Sequence, residues 1–454
     1  MFEKEIKKAT ELAKKSSRKR HAVVMHKDGE RLQKLVNVIF RDSYIQPHRH
    51  EAWESFSLID GKAKLIKYSS DGTVKSVIDL AAGELQYANS NEYHSLSVVS
   101  EKASIYIELS EFSTHDYPEW SSPEPTVLFT GAEGFVGHIM VDYFLENTDW
   151  NIIVLDRLNA AADPSRINNL ESYQKNKHRV QRVWWDLRSE LNDSILNKII
   201  NVDYVVHLAA NSDVTDSIKN PVECFLDNSL GTVNLLEAAR KLPRLKRFLY
   251  FSTDEGFGPA KEGENFIEGS RHNPGNPYAS SKAGAEDSCT AWANTYGLPI
   301  VKTNTMNIYG TGQAMTKFIP MVVKAAKYGT KITIHGSKKN PSKRFWIYNR
   351  SVAENIHFIL TQTTETLSID DCTKGCFNIV GETEYDNETL IKIISKALGK
   401  DVEYDFMDYG HLRPGYDKRY ALNGDKLQKK YGCKQSVSTE KMIGIVAKEI
   451  ERTL

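Results

Sequence analysis

The sequence predicts two folds in one chain: a small all-β domain, then a doubly wound α/β sheet. From Leu35 to Leu109 short apolar runs alternate with turn residues, which is typical of a β-sandwich or barrel. From Thr126 onward strands alternate with helical stretches, which is typical of a parallel sheet covered by helices. We therefore expect domains at 1–115 and 126–454, joined by a proline-containing linker at 116–125.

The composition excludes several classes of partner. Lys plus Arg equals Asp plus Glu, at 59 each, so no charge excess favours nucleic acid or an anionic membrane. No run approaches the roughly 20 apolar residues of a membrane span, and the first residues do not resemble a signal peptide. We expect a cytoplasmic protein. The five cysteines are odd in number and scattered, which indicates reduced thiols, and the close pair Cys372 and Cys376 is interpreted as structural because no second pair accompanies it.

The first domain begins with a lysine-rich helical pattern within residues 1–30. Turn signals at Asp60-Gly61 and Asp71-Gly72 predict tight hairpins. The predicted strands are Val36 to Phe40, Glu54 to Ile59, Ala63 to Tyr68, Val77 to Leu80, Ser95 to Val99 and Ile105 to Leu109.

Four residues of this domain form a candidate metal site. His48 and His50 lie two apart, so on a strand they face the same side, and Glu54 has the same parity. His94 follows far along the chain, after a turn. Three imidazoles and a carboxylate suit a divalent ion such as zinc, iron, manganese or nickel, without choosing among them.

The spacing from His48 through Gly61 and Gly83 to His94 resembles the cupin motifs, over most of residues 15–115. The resemblance implies a cupin β-barrel with a divalent metal on His48, His50, Glu54 and His94. One departure is Asn89-Ser90-Asn91, where the family has Pro-x-Gly. The alternative is a cupin that has kept its fold and serves only as a dimerisation module.

A glycine-rich loop opens the second domain. Gly131, Gly134 and Gly137 follow a predicted strand, Thr126 to Thr130, and open a helix, so a pyrophosphate can approach backbone N–H groups at the positive helix end. Asp156 ends the next strand and can accept hydrogen bonds from ribose hydroxyls. Because its carboxylate would repel a 2′-phosphate, we expect NAD rather than NADP.

The chemistry is expected between Ser252 and Lys282. Tyr278 and Lys282 lie one helical turn apart on one face, and a lysine beside a tyrosine lowers the phenol pKa towards neutral pH. Asp254 and Glu255 supply an acid and a base at the end of a strand. The later strands are predicted at Asp203 to Leu208, Lys246 to Ser252 and Pro299 to Thr303.

These motifs resemble the extended short-chain dehydrogenase/reductases, and more narrowly the dTDP-glucose 4,6-dehydratase branch, from about 126 to 430. The matching stretches include Asp186-Leu187, His207-Leu208-Ala209-Ala210, Thr253-Asp254-Glu255, Pro277 to Ala283, Asn307 to Gly310, Lys317 to Pro320 and Arg413 to Tyr420. The departures are Gly256-Phe257-Gly258, Ile308, Asp213-Val214-Thr215 and Arg344-Phe345-Trp346. By the resemblance, these departures lie near the sugar and diphosphate pockets. We therefore expect the chemistry to be kept, while the identity of the substrate stays undetermined.

The resemblance implies NAD as cofactor, a nucleotide-diphosphate sugar as substrate, a small C-terminal substrate lobe and a homodimer. Tyr278, assisted by Lys282, would take the proton from the sugar O4 while hydride leaves C4. Glu255 would then remove the C5 proton, Asp254 would protonate the departing C6 hydroxyl, and Thr253 would hydrogen-bond O4. Further positions implied for cofactor or substrate are Gly131, Gly134, Gly137, Asp156, Asp186, Leu187 and Ala209 for NAD, and Asn307, Arg344 and Asn378 for the nucleotide sugar.

Three functions remain open at this level. The first is an NAD-dependent nucleotide-sugar 4,6-dehydratase, a hydro-lyase, whose product the first domain binds or acts on. The second is a 4-epimerase or decarboxylase of the same superfamily. The acid pair Asp254 and Glu255 argues against it. The third is a non-catalytic scaffold, against which the presence of Tyr278 and Lys282 speaks. For Arg344 the alternative to substrate binding is a solvated surface charge.

Overall fold

The computed structural model describes residues 2–15, 20–25, 32–41, 43, 45, 47–109, 124–337, 340–407, 419–433 and 437–454. Residues 116–123 of the predicted linker and Arg413 to Lys418 of the last motif lie outside them. The chain divides into two compact units. The first comprises Met1–Thr126, Asn192–Tyr204 and Ala239–Lys246, and the second comprises Val127–Leu191, Val205–Ala238 and Arg247–Leu454.

The described residues of the N-terminal part of the first unit form one helix and eight strands. They are α1 (Glu3–Lys15), β1 (Arg20–Val24), β2 (Gln33–Phe40), β3 (Glu54–Asp60), β4 (Ala63–Tyr68), β5 (Val74–Asp79), β6 (Gln86–Ala88), β7 (Tyr93–Val98) and β8 (Lys102–Leu109). All six predicted strands are present within a few residues. β1 and β6 were not predicted.

These strands form two antiparallel sheets, in the orders β1-β2-β8-β3-β6 and β5-β4-β7. Their apolar faces share one core, which includes Phe56, Leu65 and Ile105. A cupin barrel was expected. In the residues that the structure describes, the two sheets do not close into a barrel. Beyond the paired strands, these described residues form only isolated bridges, such as His48 with His94, and no continuous ladder that would join the sheets.

One of the two predicted hairpins is correct. Asp71-Gly72 joins β4 to β5, which pair antiparallel, and Gly72 has a φ of 87°. Asp60-Gly61 instead carries the chain from β3 in one sheet to β4 in the other. Gly61 has a φ of 89°, and a Cβ there would lie 2.3 Å from the carbonyl oxygen of Lys102, so this corner requires glycine.

The remaining chain alternates strands with helices. The elements are β9 (Thr126–Thr130), α2 (Gly137–Asn147), β10 (Asn151–Asp156), α3 (Ser165–Asn168), α4 (Glu171–Lys175), β11 (Val180–Trp184), α5 (Asp193–Ile199), β12 (Tyr204–His207), α6 (Val214–Lys219), α7 (Pro221–Phe225), α8 (Gly231–Ala239), β13 (Arg247–Thr253), α9 (Pro277–Tyr296), β14 (Ile300–Thr305), β15 (Asn307–Tyr309), α10 (Phe318–Tyr328), β16 (Ile332–Ser337), β17 (Asn340–Pro341), β18 (Lys343–Tyr348), α11 (Asn349–Gln362), β19 (Cys376–Ile379), β20 (Glu384–Asp386), α12 (Asn387–Leu398), β21 (Tyr404–Met407) and α13 (Thr439–Thr453).

Seven of these strands form one sheet in the order β11-β10-β9-β12-β13-β14-β19. The pairs β10 with β11, β13 with β14, and β14 with β19 are parallel. Strand order reverses on either side of β9, as in a doubly wound sheet, so the carboxyl ends of β9, β10 and β13 lie at one edge. The predicted Rossmann-type sheet is confirmed.

The C-terminal part adds two three-stranded sheets, β15-β18-β20 and β17-β16-β21. α10, α12 and α13 pack around them over a core that includes Ile319, Leu390 and Val446. A small C-terminal substrate lobe was expected in this part of the chain, and its role in substrate binding stays a prediction. Within the described residues no helix is long and apolar enough to cross a membrane. All five cysteines are described, and none forms a disulfide.

Candidate functional site

The glycine-rich loop has the geometry that a dinucleotide requires. Gly131 has a φ of 66°, and a Cβ at this position would lie 2.8 Å from the Cα of Ala209. A Cβ on Gly137 would lie 2.4 Å from the Cα of Ala132. Any side chain at these positions would collide with that backbone, so the loop needs glycine to keep the shape in which its N–H groups can face a pyrophosphate. The loop thus fits the phosphate end of NAD.

Asp156 ends β10 beside this loop, as predicted. Its Oδ1 accepts the N–H of Leu158 at 2.9 Å and its Oδ2 accepts the N–H of Glu133 at 3.2 Å. Each carboxylate oxygen has more than one lone pair, so both can still accept a ribose hydroxyl. Asp156 is 8% exposed, which strengthens its repulsion of a 2′-phosphate.

The other predicted cofactor residues follow neighbouring strands. Burial would raise the pKa of Asp186, but hydrogen bonds and charge from Arg188 and Arg157 outweigh it and lower the pKa. The Leu187 carbonyl accepts the Asn234 amide at 2.8 Å, which fixes the loop after β11. The Ala209 N–H donates to the Thr130 hydroxyl at 3.1 Å, which fixes the loop after β12.

Thr253, Asp254 and Glu255 lie at the carboxyl end of β13. Asp254 is buried, and its Oδ2 has no hydrogen-bond partner among the described residues. Burial, and next the charge of Glu255, raise the pKa of Asp254 to about 7. A carboxyl that holds its proton near neutral pH beside a second carboxylate is suited to act as a general acid.

Tyr278 and Lys282 lie on α9, next to these residues. An interaction with the Thr253 hydroxyl acts to lower the pKa of the Tyr278 phenol. The predicted lowering of the Tyr278 pKa by Lys282 is wrong for this structure: burial raises it, and the charge of Glu255 adds to that effect. Lys282 instead donates to the Phe251 carbonyl at 2.7 Å, and burial lowers its own pKa to about 8.

The three predicted substrate residues have different surroundings. Arg344 is 7% exposed, so it is not a solvated surface charge; its guanidinium lies 4.7 Å from the ring centroid of Tyr420 and its charge acts on Asp254. Asn307 is half-buried on β15, which pairs with β18. Asn378 is 1% exposed and its amide donates to the carbonyls of Phe266 and Asn423, so it stabilises the fold.

Two residues at this site were not predicted. Asn276 donates to Oε2 of Glu255 at 3.1 Å, and Tyr420 donates to the same oxygen at 3.4 Å. The sequence signal for Asn276 was its place before Pro277, where an asparagine caps a helix. Tyr420 ends the motif Arg413 to Tyr420, which matches the family, but its spacing from the other site residues indicates no role.

The four predicted metal ligands are brought together. All are buried, and their ligand atoms lie within 4.8 Å of one another. His94 Nε2 is 2.9 Å from Glu54 Oε2, and His50 Nε2 is 3.3 Å from the same oxygen. Burial would raise the pKa of Glu54, but His50 and His94 outweigh it and lower the pKa to about 2. The donor set and its compactness fit one divalent ion.

Two family models match the chain. Residues 128–446 match the model described as GDP-mannose 4,6 dehydratase. Residues 2–80 match a domain of unknown function, DUF6016.

Known proteins resemble the same region. The chain is 31% identical to dTDP-glucose 4,6-dehydratase of Salmonella typhimurium over 332 residues, which covers 68% of this chain and 88% of the relative. The solved dTDP-glucose 4,6-dehydratase of Streptomyces venezuelae, with NAD and TYD bound, is 27% identical with a TM-score of 0.63 and covers 72% of this chain and 97% of that one. UDP-glucose 4-epimerase of Thermus thermophilus with NAD is 25% identical with a TM-score of 0.63, over 72% of this chain and 100% of that one.

Proposed function

The chain belongs to the GDP-mannose 4,6 dehydratase family, and from that premise we propose that it is an NAD-dependent nucleotide-sugar 4,6-dehydratase. Its product would be a 4-keto-6-deoxy sugar nucleotide. The single observation that carries the proposal is the pair of Asp254 and Glu255. One carboxyl is buried with a pKa of about 7, and the other is half-buried and accepts two side-chain donors.

The residues that would hold NAD are the glycine loop and Asp156, with Asp186, Leu187 and Ala209 around them. The chemistry that bound NAD would supply is acceptance of a hydride from the sugar C4 and its return to C6. Tyr278 takes the O4 proton, and its interaction with the Thr253 hydroxyl, which lowers the phenol pKa, opposes the effect of burial. Glu255 removes the C5 proton, Asp254 gives its proton to the C6 hydroxyl, which departs as water, and Glu255 returns a proton to C5 to complete the product.

A 4-epimerase is the second candidate, because a solved epimerase shares this fold. An epimerase needs the cofactor and Tyr278, but it eliminates no water. A buried acid next to a base would have no task in that reaction. We therefore rank the dehydratase first.

The deciding experiment is incubation of the purified chain with a panel of nucleotide sugars, followed by mass spectrometry. Loss of one water from one member of the panel supports the dehydratase, whereas an isomer of unchanged mass supports the epimerase. Asp254→Asn and Glu255→Gln are expected to lower the rate of water loss by about 10² to 10⁴ while NAD binding is retained. Unchanged turnover in both variants would exclude the proposed roles.

We further propose that the N-terminal β domain is cupin-like and holds a divalent metal on His48, His50, Glu54 and His94. The compact ligand set supports this. Elemental analysis of the full chain is expected to find about one ion per chain, which is lost in the His48→Ala/His50→Ala double variant. His178→Ala, at an exposed histidine, is the matched control.

The metal site would serve the product of the other domain. A 4-keto sugar has acidified protons at C3 and C5, and a divalent ion can polarise the carbonyl. Because both sites are in one chain, the product is released close to the second site. Solvent deuterium at C3 of the product is the measurement, because Glu255 of the other domain itself exchanges the C5 proton. Equal labelling by the wild type and the double variant would mean that the metal domain has a structural role, such as forming a homodimer. Light scattering of the full chain tests whether it is a homodimer.

A further inference from the structure

One oxygen of Glu255 accepts hydrogen bonds from two distant parts of the chain. Asn276 Nδ2 donates to Oε2 at 3.1 Å from the start of α9. The Tyr420 hydroxyl donates to the same Oε2 at 3.4 Å from a position 165 residues away along the chain. Two donors on one carboxylate oxygen stabilise its charge and limit its rotation.

The Asn276 side chain is held at both ends. Its Oδ1 accepts the N–H of Ala279 at 2.8 Å and so caps α9. Because this bond uses the carbonyl end of the amide, the NH₂ end must point away from the helix, and there it meets Glu255. Asn276 is 7% exposed, so little water competes for these bonds.

The Tyr420 ring is held by packing and by charge. It lies in an apolar cluster with Phe257, Met306, Val380 and Leu422, and is 5% exposed. The Arg344 guanidinium lies over its face, 4.7 Å from the centroid. A cation on one face of the ring favours an acidic hydroxyl, which strengthens the bond that this hydroxyl donates.

The segment around Tyr420 is itself anchored. Arg419 forms an ion pair with Glu384 at 2.7 Å, and its guanidinium donates to the carbonyls of Lys261 at 2.7 Å and Glu264 at 2.6 Å. The Tyr420 hydroxyl is thus fixed from two sides, by Arg419 next to it and by the apolar cluster around its ring.

From this arrangement we propose that Asn276 and Tyr420 are positioning residues that orient Glu255 for removal of the C5 proton. The inference rests on the proposed dehydratase function. Neither residue takes part in the first half of the reaction, in which Tyr278 accepts the O4 proton and the sugar is oxidised. Their loss therefore slows elimination and leaves oxidation intact.

The test compares Tyr420→Phe and Asn276→Ser with the wild-type chain. The probe is dTDP-glucose or, if the wild type does not dehydrate it, the nucleotide sugar of the panel from which the wild type removes water. Phe keeps the ring in its cluster and under Arg344, and Ser keeps a helix cap while it withdraws the donor from Glu255. Tyr309→Phe is the matched control, because this buried tyrosine also donates one bond, to the Thr439 carbonyl at 3.1 Å.

Each of the two variants is expected to lower kcat for water loss by about 10-fold or more, the size expected for a hydrogen bond to a charged group, with little change in KM. Because oxidation still proceeds, enzyme-bound NADH accumulates after mixing with the sugar, and its near-ultraviolet absorbance reports this directly. C5–H exchange with deuterated solvent falls in parallel. The control shows neither effect.

Two results would overturn the proposal. One is a kcat equal to that of Tyr309→Phe. The other is a lower kcat without accumulation of NADH, which would mean that the substitutions damage the whole site. If the wild-type chain itself removes no water from any nucleotide sugar of the panel, the proposed function fails instead, and the two failures are thereby distinguished.

Discussion

Asp254 is expected to destabilise the protein at alkaline pH, because it must ionise in a buried place. Its pKa is about 7, against an ordinary value of 3.8. The difference, 7 − 3.8, is about 3 units and corresponds to about 4 kcal/mol. A raised acid pKa means that the stability contributed by the protonated form is fully present below pH 3.8 and is lost as the pH rises through 7. Asp254→Asn, a neutral side chain of the same shape, should therefore be more stable than the wild type at about pH 9 and nearly equal to it at about pH 4.

The assay is thermal unfolding of the two proteins at both pH values. For a domain of this size 1 kcal/mol moves the midpoint by about 2 °C, so the Asn variant should melt several degrees higher at the alkaline pH. Glu286→Gln is the control of opposite sign. Burial would raise the pKa of Glu286, but Lys302 and His272 lower it to about 2, so its loss destabilises at alkaline pH. An Asp254→Asn midpoint that follows the wild type at both pH values would refute the assignment of Asp254 as the acid.

Three further predictions follow from the cofactor and metal residues. Asp156→Asn removes a charge and keeps the acceptor, so the NADP to NAD affinity ratio in a titration should rise by at least about 10-fold; an unchanged ratio would show that Asp156 does not meet the ribose. Gly131→Ala should abolish NAD binding measured by fluorescence, since its Cβ would lie 2.8 Å from the backbone of Ala209; retained affinity would contradict the close approach. Chelator treatment should lower the melting point of the wild type and leave that of His48→Ala/His50→Ala unchanged, and an equal fall in both would exclude metal binding by these ligands.

Local patterns gave the parts of the site that lie within one strand–loop–helix unit. The glycine loop and Asp156 belong to one turn and to the strand that follows it, so their placement could be predicted from the sequence. Tyr278 and Lys282 share a helix face for the same reason. Their pKa values could not be predicted in this way, because burial, which spacing does not reveal, decides them.

Two long-range contacts of the candidate active site, those of Tyr420 and Arg344, escaped prediction. Tyr420 reaches Glu255 across 165 residues, and no periodicity connects them. Arg344 was expected to bind the nucleotide sugar, which stays a prediction, but the stacking of its guanidinium on Tyr420 was not predicted, because it depends on the tertiary placement of β18. The hairpin predicted at Asp60-Gly61 is wrong, because a glycine with positive φ is compatible both with a hairpin and with a crossing between two sheets.

That crossing at Gly61 has a consequence for the metal ligands. Glu54 lies on β3 in the first sheet of the N-terminal domain, and His94 lies on β7 in the second. An ion held between them would connect the two sheets, so the affinity of the site for the ion would depend on the distance between the sheets. A side chain at Gly61, which would press on Lys102 at the corner, should therefore weaken metal binding without touching a ligand.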